Sequence, residues 1–332
     1  MKWEKVKLSE VTEYITDGDH QPAPKSDSGV LFVKIKDIQD NRLTFDNALF
    51  VPQEYYNRLP KNRKAEYGDT LYTVVGSYGI PAFVNHNIPF CFERNIALLH
   101  PNNRVIPKYL YYAVNNPIFY GNANNIANGS AQKLIPLSKL AGMEISVPPI
   151  ERQETIVNIL SAYDDLIENN QKQIKLLEEA AQRLYKEWFI DLRFPGHENV
   201  KIVDGVPEGW ERMVLSEVTS ILKRGISPKY SDNGKYSVIN QKCIRSSIMD
   251  ISESRRQEKE YVPTLNLQDS DTVICSTGTG TLGRVGRVYG DYPNTTFDSH
   301  VTLVRAKENP NYIYHVVKSQ QEYLICICWL LN

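Results

Sequence analysis

Two short motifs in this chain have spacings that occur in enzymes. Residues 278–283, GTGTLG, match the glycine spacing of dinucleotide-binding sites, where a helix must follow the last glycine. The residues that follow are RVGRVYG, and their glycines and β-branched side chains favour a strand. We therefore interpret the segment as a glycine-rich hairpin and not as a cofactor site.

The second motif, Asn116-Pro117-Ile118-Phe119, is similar to the Asn-Pro-Pro-aromatic motif of amino-methyltransferases. It lacks the second proline, and no glycine-rich methyl-donor loop precedes it. The six histidines and five cysteines have no metal-ligand spacing, and the chain has no P-loop lysine motif. We expect no catalytic residue, no metal site and no cofactor bound by this chain.

Two stretches of residues 1–147 suggest contacts with DNA. Residues 121–133, GNANNIANGSAQK, have no apolar period and predict a loop whose amides can bond adenine edges in the major groove. The basic cluster 58–64, RLPKNRK, suits phosphate contacts. Composition alone does not separate the amide-rich stretch from an ordinary surface loop, and most basic clusters of this kind are solvated surface. The candidate DNA-binding residues of this half are Lys25, Arg58, Lys61, Arg63, Lys64, Ser77, Tyr78, Asn124, Asn125, Asn128, Ser130, Gln132 and Lys133.

In the second half of the chain, fewer cations are grouped in a way that suggests a DNA contact. Residues 272–290 contain two arginines and no acid, and a Lys-Arg pair follows the predicted opening strand. Residues 255–260, RRQEKE, are mixed in sign and less persuasive. The candidate DNA-binding residues here are Lys223, Arg224, Lys229, Thr281, Arg284 and Arg287.

The candidates belong to a domain that occurs twice. Residues 3–12, WEKVKLSEVT, recur at 210–219 as WERMVLSEVT. Further matches keep the same order along the chain, so we predict one mainly-β domain type used twice. These matches are Gly18 with Gly225, 68–71 with 270–273, 76–79 with 280–283, and 92–98 with 297–303.

A long helix is predicted between the two copies. Residues 148–192 begin with Pro148-Pro149 and contain no further proline, and their apolar residues alternate at spacings of four and three. This heptad pattern predicts a coiled coil with one polar position, Asn170. The seam residues are Ile156, Leu160, Tyr163, Ile167, Asn170, Ile174, Leu177, Ala181, Leu184 and Trp188.

The predicted fold class is therefore α+β, with domains at 1–147 and 210–332, a coiled-coil helix at 148–192 and a linker at 193–209. A chain of 332 residues is long enough for two cores, and its net charge of −1 means that any nucleic-acid site is a local patch. The start lacks the apolar run of a signal peptide, and the cysteines are typical of reduced thiols, so we expect a cytoplasmic protein without membrane association.

The two W-x-x-x-x-L-S-E-V copies, together with PPIERQETIV running into LYKEWF, resemble the specificity subunit of type I restriction-modification systems. The resemblance implies two target-recognition domains separated by a conserved helix, and a non-catalytic subunit that binds a bipartite double-stranded DNA site. It also implies partners: two modification subunits that methylate adenine with S-adenosylmethionine, and restriction subunits that use ATP and Mg.

In the second copy nothing resembles residues 129–134 or 148–153, and members of that family normally carry a second, antiparallel helix. We therefore expect the second domain and second helix to be incomplete, as in a truncated product. Such a chain would form a homodimer through the central helix or be inactive. Two different functions also fit the residues: a coiled-coil adaptor that binds proteins and, less favoured, a nucleotide-dependent enzyme built on the glycine hairpin.

Overall fold

The computed structural model describes residues 3–46, 48–127, 133–278 and 280–321. The chain divides into two compact units, residues 1–170 and 171–332, which we call unit 1 and unit 2. Both contain small β-sheets with short helices, and one long helix contributes residues to each. The predicted α+β class with a long helix between repeated domains is confirmed.

Unit 1 contains eleven described strands and six described helices, the last of which continues into unit 2. The strands are β1 (Glu4–Lys7), β2 (Thr12–Asp17), β3 (Val30–Val33), β4 (Ile38–Gln39), β5 (Arg42–Leu43), β6 (Leu49–Val51), β7 (Thr70–Thr73), β8 (Pro81–Phe83), β9 (Phe90–Phe92), β10 (Ile96–Pro101) and β11 (Glu144–Val147). The helices are α1 (Leu8–Val11), α2 (Gln53–Arg58), α3 (Pro107–Val114), α4 (Pro117–Ile126), α5 (Leu137–Ala141) and α6 (Ile150–Tyr185), with 3₁₀ turns at Ile35–Asp37 and Lys61–Arg63.

In unit 2, a π-helical turn, Lys186–Ile190, follows α6 directly, and a short 3₁₀ turn lies at His197–Asn199. The strands are β12 (Ile202–Val203), β13 (Val206–Pro207), β14 (Thr219–Arg224), β15 (Tyr236–Ile239), β16 (Arg255–Gln257), β17 (Thr272–Cys275), β18 (Val285–Arg287), β19 (Thr295–Phe297) and β20 (Val301–Ala306). The helices are α7 (Leu215–Val218) and α8 (Pro310–Ser319), with further 3₁₀ turns at Gln241–Cys243, Ile251–Glu253 and Pro263–Leu265.

The sheets of the two units have the same topology. Unit 1 has a four-stranded antiparallel sheet in the order β2-β10-β7-β8, and unit 2 has β14-β20-β17-β18. A three-stranded sheet follows the order β6-β3-β9 in unit 1 and β16-β15-β19 in unit 2, and its last pair is parallel in both. In unit 1, β1 also pairs with β11, and β4 with β5. The sequence repeat is therefore a structural repeat.

The cores of unit 1 follow from the alternation of side chains along β10. Ala97 and Leu99 face one cluster, which contains residues of α3, α4 and α5. Ile96 and Leu98 face another cluster, which contains Phe90 of β9. Because successive side chains of a strand point to opposite faces, both faces of the four-stranded sheet are covered.

The repeated L-S-E-V segment forms the same short helix in each unit. In α1 the carboxylate of Glu10 accepts a hydrogen bond from the backbone N–H of Lys7, at 3.1 Å. In α7 the carboxylate of Glu217 accepts one from the N–H of Val214, at 2.9 Å. These bonds satisfy a backbone donor that a helix start would otherwise leave unpaired.

Gly18 and Gly225 match in the sequence because each lies where two strands approach closely. A Cβ atom at Gly18 would lie 2.0 Å from the carbonyl oxygen of Phe92, at the end of β9. At Gly225 it would lie 2.2 Å from the carbonyl oxygen of Phe297, at the end of β19. Only glycine fits such an approach without displacing the backbone.

The start of α6 is fixed to unit 1 by the buried side chain of Gln153. Its carbonyl oxygen accepts the backbone N–H of Ile106 at 2.8 Å. Its amide donates to the carbonyl oxygens of Arg104, at 3.2 Å, and Pro148, at 2.9 Å. The helix contains 36 residues and is therefore about 54 Å long.

The residues that follow α6 pack within unit 2 through aromatic rings. The ring of Phe189 lies 4.8 Å from that of Tyr312 on α8 and 5.7 Å from that of Trp210. Phe194 stacks on the same tryptophan at 5.2 Å. The repeated tryptophan of unit 2 therefore holds the residues that follow the helix.

Two local predictions were wrong. Residues 121–126 lie in α4 and not in a loop, because Asn116 caps the helix by accepting the N–H of Phe119, and Phe119 and Ala123 are buried on one helical face. Lys223 and Arg224 are the last residues of β14 and do not follow that strand, because β14 continues pairing with β20 as far as Arg224.

The aspartate of the repeated Asp-Thr sequence is buried in both units, beside a histidine in unit 1 and beside an arginine in unit 2. Asp69 lies 2.6 Å from Nδ1 of His100, and burial raises the pKa of this carboxyl group above its ordinary value. Its counterpart Asp271 accepts two hydrogen bonds from the guanidinium of Arg305, at 2.8 and 2.7 Å. The repeated Asp-Thr sequences therefore supply a buried carboxyl group that the neighbouring β-strand provides with a partner.

We expect Arg305→Ala to destabilise unit 2 by about 3–5 kcal/mol, because it leaves the buried Asp271 without its cation and with the backbone N–H of Gln268 as a remaining hydrogen-bond donor. Chemical denaturation followed by circular dichroism and by protease resistance of unit 2 measures the loss. Lys229→Ala is the control, since it removes a cation from an exposed ion pair with Glu258. An equal midpoint for the two variants would contradict the structural role of Arg305.

Candidate nucleic-acid interface

Several of the predicted DNA-binding residues of unit 1 come together between the β7–β8 turn and α4. The hydroxyl of Tyr78 donates to Oδ1 of Asn124. Nζ of Lys133 donates to the same oxygen at 3.0 Å and to the Tyr78 hydroxyl at 3.4 Å. The ring of Tyr120 is stacked with that of Tyr78, with centroids 6.2 Å apart. We call these four residues the Tyr78 cluster.

The Tyr78 cluster presents groups that suit contacts with a duplex. Asn124 and Lys133 are exposed, and the carboxamide oxygen of Asn124 already accepts two donors. Its NH₂ group and the lysine ammonium remain donors to an acceptor outside the protein. Because these side chains hold one another in place, they lose less conformational entropy on binding a ligand.

Three other described candidates of unit 1 lie outside both the Tyr78 cluster and the basic cluster. Ser77 and Asn125 are exposed. Lys25 lines a separate open cavity of about 450 Å³, together with Phe50. Asn128, Ser130 and Gln132 lie outside the described residues.

The basic cluster at residues 58–64 is largely engaged within unit 1. Arg63 lies 3.3 Å from Asp19 and 3.9 Å from Asp17. The individual contacts of the other three cations are Arg58 with the carbonyl of Glu54 at 3.3 Å, Lys61 with Glu66 at 3.7 Å, and Lys64 with the carbonyl of Asn57 at 3.3 Å. The side chain of Arg63 is 27% exposed, against 79% for Lys61, so we assign Arg63 to the packing of unit 1.

The candidates of unit 2 also make intramolecular contacts. Arg224 donates to the carbonyl of Ser299, and Arg284 donates to that of Gly280 at 2.9 Å. The Thr281 hydroxyl donates within its own turn. Lys229 pairs with Glu258 at 3.0 Å, and Lys223 is exposed. Despite these contacts, further N–H donors remain for a ligand on Lys229, Arg224 and Arg284.

Arg287 does not lie on an accessible surface. Only 6% of the residue is exposed, and its guanidinium donates to the carbonyl of Pro310 at 3.3 Å. Its guanidinium carbon lies 5.4 Å from the ring centre of Tyr314. These contacts join β18 to α8, so we assign Arg287 to the structure of unit 2 and not to a ligand contact.

One surface of unit 2 carries two arginines that were not among the predicted site residues. On β16, the guanidinium carbon of Arg255 lies 3.6 Å from the ring centre of Tyr230. The neighbouring Arg256 donates to the hydroxyl of Ser237 at 3.3 Å. Because Glu258 and Glu260 follow, a count of charges over residues 255–260 does not single out the two arginines. All six residues 255–260 are polar, so no apolar alternation marks the strand in the sequence, and only the structure separates the arginines, on β16, from the acids that follow.

The glycine motif forms a hairpin, as the sequence predicted. Strands β17 and β18 are antiparallel neighbours, and no helix follows the glycines among residues 280–290. A dinucleotide site of the strand–loop–helix type is therefore not formed there.

The described cysteines do not have the character of nucleophiles. All three are buried, and burial raises the pKa of Cys91 to about 12 and that of Cys243 and Cys275 to about 11. They therefore remain thiols at neutral pH. Among residues 3–46, 48–127, 133–278 and 280–321, no group of three His, Cys, Asp or Glu residues is arranged to hold a metal ion, and no helix is long and apolar enough to cross a membrane.

The predicted seam of α6 is exposed along most of its length. Ile156 packs partly against the unit 1 core. The exposed fractions of the other large apolar seam residues are 38% for Leu160, 63% for Tyr163, 48% for Ile167, 47% for Ile174, 70% for Leu177 and 47% for Leu184. Asn170 is exposed within this stripe, and Ala181 and Trp188 are half-buried. An apolar stripe of this length is typical of a helix that binds a partner.

Comparison with known proteins gives consistent similarities. The family model described as "Type I restriction modification DNA specificity domain" matches residues 1–179 and 207–328. The "Type I restriction enzyme MjaIX specificity subunit" of Methanocaldococcus jannaschii is 33% identical over 172 residues, covering 48% of this chain and 40% of that protein. The "Putative type I restriction enzyme MjaX specificity subunit" of the same organism is 29% identical over 251 residues, covering 70% and 56%.

The fold also has a solved counterpart. The crystal structure of a type I restriction-modification S subunit from M. genitalium superposes with a TM-score of 0.54 at 17% identity, covering 98% of this chain and 78% of that one. At that identity the similarity shows the fold alone. The chain spans about half the length of the two M. jannaschii relatives.

The contacts of Arg63 predict a stability effect that the neighbouring lysine lacks. Arg63→Ala should lower the free energy of unfolding by about 1–3 kcal/mol, because Asp19 loses a charged hydrogen-bond donor and Asp17 loses a nearby cation. Lys61→Ala, which removes a side chain 79% exposed, should leave the urea midpoint unchanged. If Arg63→Ala is as stable as the parent chain, the cation is available for a ligand and our assignment is wrong.

Proposed function

Because the chain belongs to the family of type I restriction-modification DNA specificity domains, we propose that it binds double-stranded DNA and directs adenine methylation and restriction to a bipartite site. In this proposal each unit recognises one half of the site. The chain itself carries out no catalytic step, and its contribution is sequence-specific binding.

The observation that carries the proposal is the structural repeat. The four-stranded and three-stranded sheets have the same order in both units, and the family model matches segments of both. Two copies of one DNA-binding fold suit a site with two halves. The Tyr78 cluster of unit 1 supplies the amide and ammonium donors that such recognition requires.

We further propose the partners of the chain. Two modification subunits would bind S-adenosylmethionine and transfer its methyl group to adenine, and restriction subunits would use ATP and Mg. These cofactors would be held by the partners and not by this chain. We propose a cytoplasmic location, since the DNA to be modified is there. The family match gives no support to the protein-binding adaptor or to the nucleotide-dependent enzyme.

We propose that the seam of α6 pairs with the α6 seam of a second copy of the chain. The support is the row of exposed apolar residues at heptad spacing, which two identical helices would bury together. Asn170 would lie in the paired seam, where a polar residue favours one register at some cost in stability. A helix of another partner is the competing occupant, and the oligomeric state distinguishes the two.

The proposed function predicts the outcome of a reconstitution. The chain alone should not methylate DNA, and with cognate modification subunits it should support methylation of adenine within one sequence motif. Asn124→Ala should change the motif or its tolerance, because a base contact costs ~1–3 kcal/mol when lost. Lys64→Ala should weaken all sites about equally and reduce the salt dependence of binding.

Sequencing of modified adenines before and after reconstitution measures both effects. Methylation by the chain alone would contradict the proposal. So would methylation of the same motif by the modification subunits in the absence of this chain. An unchanged motif in the Asn124→Ala variant would remove the Tyr78 cluster from the recognition surface while leaving the function intact.

The proposed pairing predicts that Leu177→Asp abolishes dimers, because it would bury a charge in the seam. Leu176→Asp is the matched control: the same chemical change at a neighbouring leucine that is also exposed, 64% against 70%, but lies outside the seam. Light scattering at micromolar concentration measures both. A parent chain that is monomeric, or two variants with equal masses, would contradict pairing through this face.

A further inference from the structure

The surface around β16 in unit 2 has the composition of a base-recognition site. An open concavity of about 420 Å³ lies between this strand and the segment that follows Pro228. We call its lining residues the β16 site; they are Tyr230, Ser231, Asp232, Ser254, Arg255 and Arg256. Both arginines and Asp232 are exposed, so their polar groups are accessible to a large ligand.

The position of Arg255 is restrained before any ligand binds. Its guanidinium stacks on the ring of Tyr230 at 3.6 Å, which fixes the plane of the group and leaves N–H donors on its edge. A planar, pre-oriented guanidinium forms two parallel hydrogen bonds with smaller entropy loss than a free lysine. Arg256, the next residue of the strand, donates a hydrogen bond to the hydroxyl of Ser237.

The equivalent position of unit 1 has different chemistry. Arg255 and Arg256 pair with the third and second residues of β15, and Leu49 and Phe50 pair with the third and second residues of β3. Leu49 and Phe50 also line the open cavity at this place in unit 1. The two arginines of one repeat are therefore replaced by two apolar residues in the other.

This difference separates the β16 site from the features that the repeats share. The glycines at 18 and 225, the capped helices α1 and α7, and the buried aspartates have the same role in both units. A partner that binds both units alike requires similar residues in both. Two different half-sites require different residues at equivalent positions, and this is the pattern at β6 and β16.

We propose that Arg255 and Asp232 recognise a G·C base pair in the major groove of the half-site bound by unit 2. Arg255 donates to O6 and N7 of guanine, and the carboxylate of Asp232 accepts from the N4 amino group of cytosine. The proposal rests on the proposed function and names the residues that carry it in this unit. Asp232 favours a base over a phosphate, since a carboxylate repels the anionic backbone.

The experiment uses the full chain with cognate modification subunits and a random-sequence duplex library. The parent complex should enrich a motif with a G·C pair in one half. Arg255→Ala should lose selection at that pair and keep it elsewhere, with binding of the full motif reduced about 5- to 150-fold. Arg255→Lys keeps the charge, so a phosphate contact would survive it, whereas the stacked two-donor contact would be weakened.

A second measurement changes the DNA and not the protein. Replacing the guanine of that pair by 7-deazaguanine removes the N7 acceptor, so it should weaken binding by the parent complex and leave binding by the Arg255→Ala complex unchanged. Arg212→Ala, which removes an exposed arginine bonded to the carbonyl of Asp204, is the control for lost charge and should keep the motif.

The outcomes separate the two proposals. If the parent complex enriches no motif, the proposed function fails. If it enriches a motif that Arg255→Ala leaves intact, or if that variant weakens all sequences equally, the function stands and the β16 site is not a base contact. Loss of selection at an A·T pair would likewise overturn the assignment to G·C.

Discussion

The buried carboxamide of Gln153 is the contact on which the arrangement of unit 1 and its helix depends. Two prolines precede α6 and contribute no N–H donors, so the chain enters the helix through a segment with few hydrogen bonds of its own. Gln153 satisfies one donor and two acceptors of the surrounding backbone. A side chain without both amide functions would leave buried backbone groups unpaired, at a cost of about 1–3 kcal/mol for each.

Beyond that anchor, a small set of contacts between described residues joins the helix to unit 1. Ile156 and Val157 pack on the core, and the hydroxyl of Tyr112 donates to the carboxylate of Asp164 about two turns later. Leu166 and Ile167 are about half exposed. The apolar stripe is therefore available to a partner, while the residues that join the helix to the sheet unit are already engaged.

The charges of the molecule explain how a nearly neutral chain is compatible with DNA binding. Many of its cations neutralise its own acids: Arg305 with Asp271, Arg63 with Asp19, Lys229 with Glu258. Net charge therefore measures the sum and not the local field. A ligand meets the cations that are exposed and oriented, such as Lys133 beside Asn124 and Arg255 on Tyr230.

Comparison of the two repeats separates residues that maintain the fold from residues that are free to differ. The shared residues maintain the close approach of strands, the helix caps and the partnered aspartates. Residues that differ between the repeats occur where β6 and β16 form sheet edges, next to open concavities. An edge strand accepts substitution because its outward side chains pack against few neighbours, so the ligand surface can change without loss of the core.

The repeat, the long helix and the glycine hairpin follow from the sequence alone. These depend on local periodicity, on proline and glycine positions and on order along the chain. The sequence does not reveal that Arg287 is buried, that Arg63 pairs with Asp19, or that the ring of Tyr230 orients Arg255. Those facts depend on contacts between residues distant in the chain, such as Arg63 with Asp19, 44 positions away. Only the tertiary structure decides which charges are satisfied internally and which remain for a ligand, because the same side chain serves either purpose.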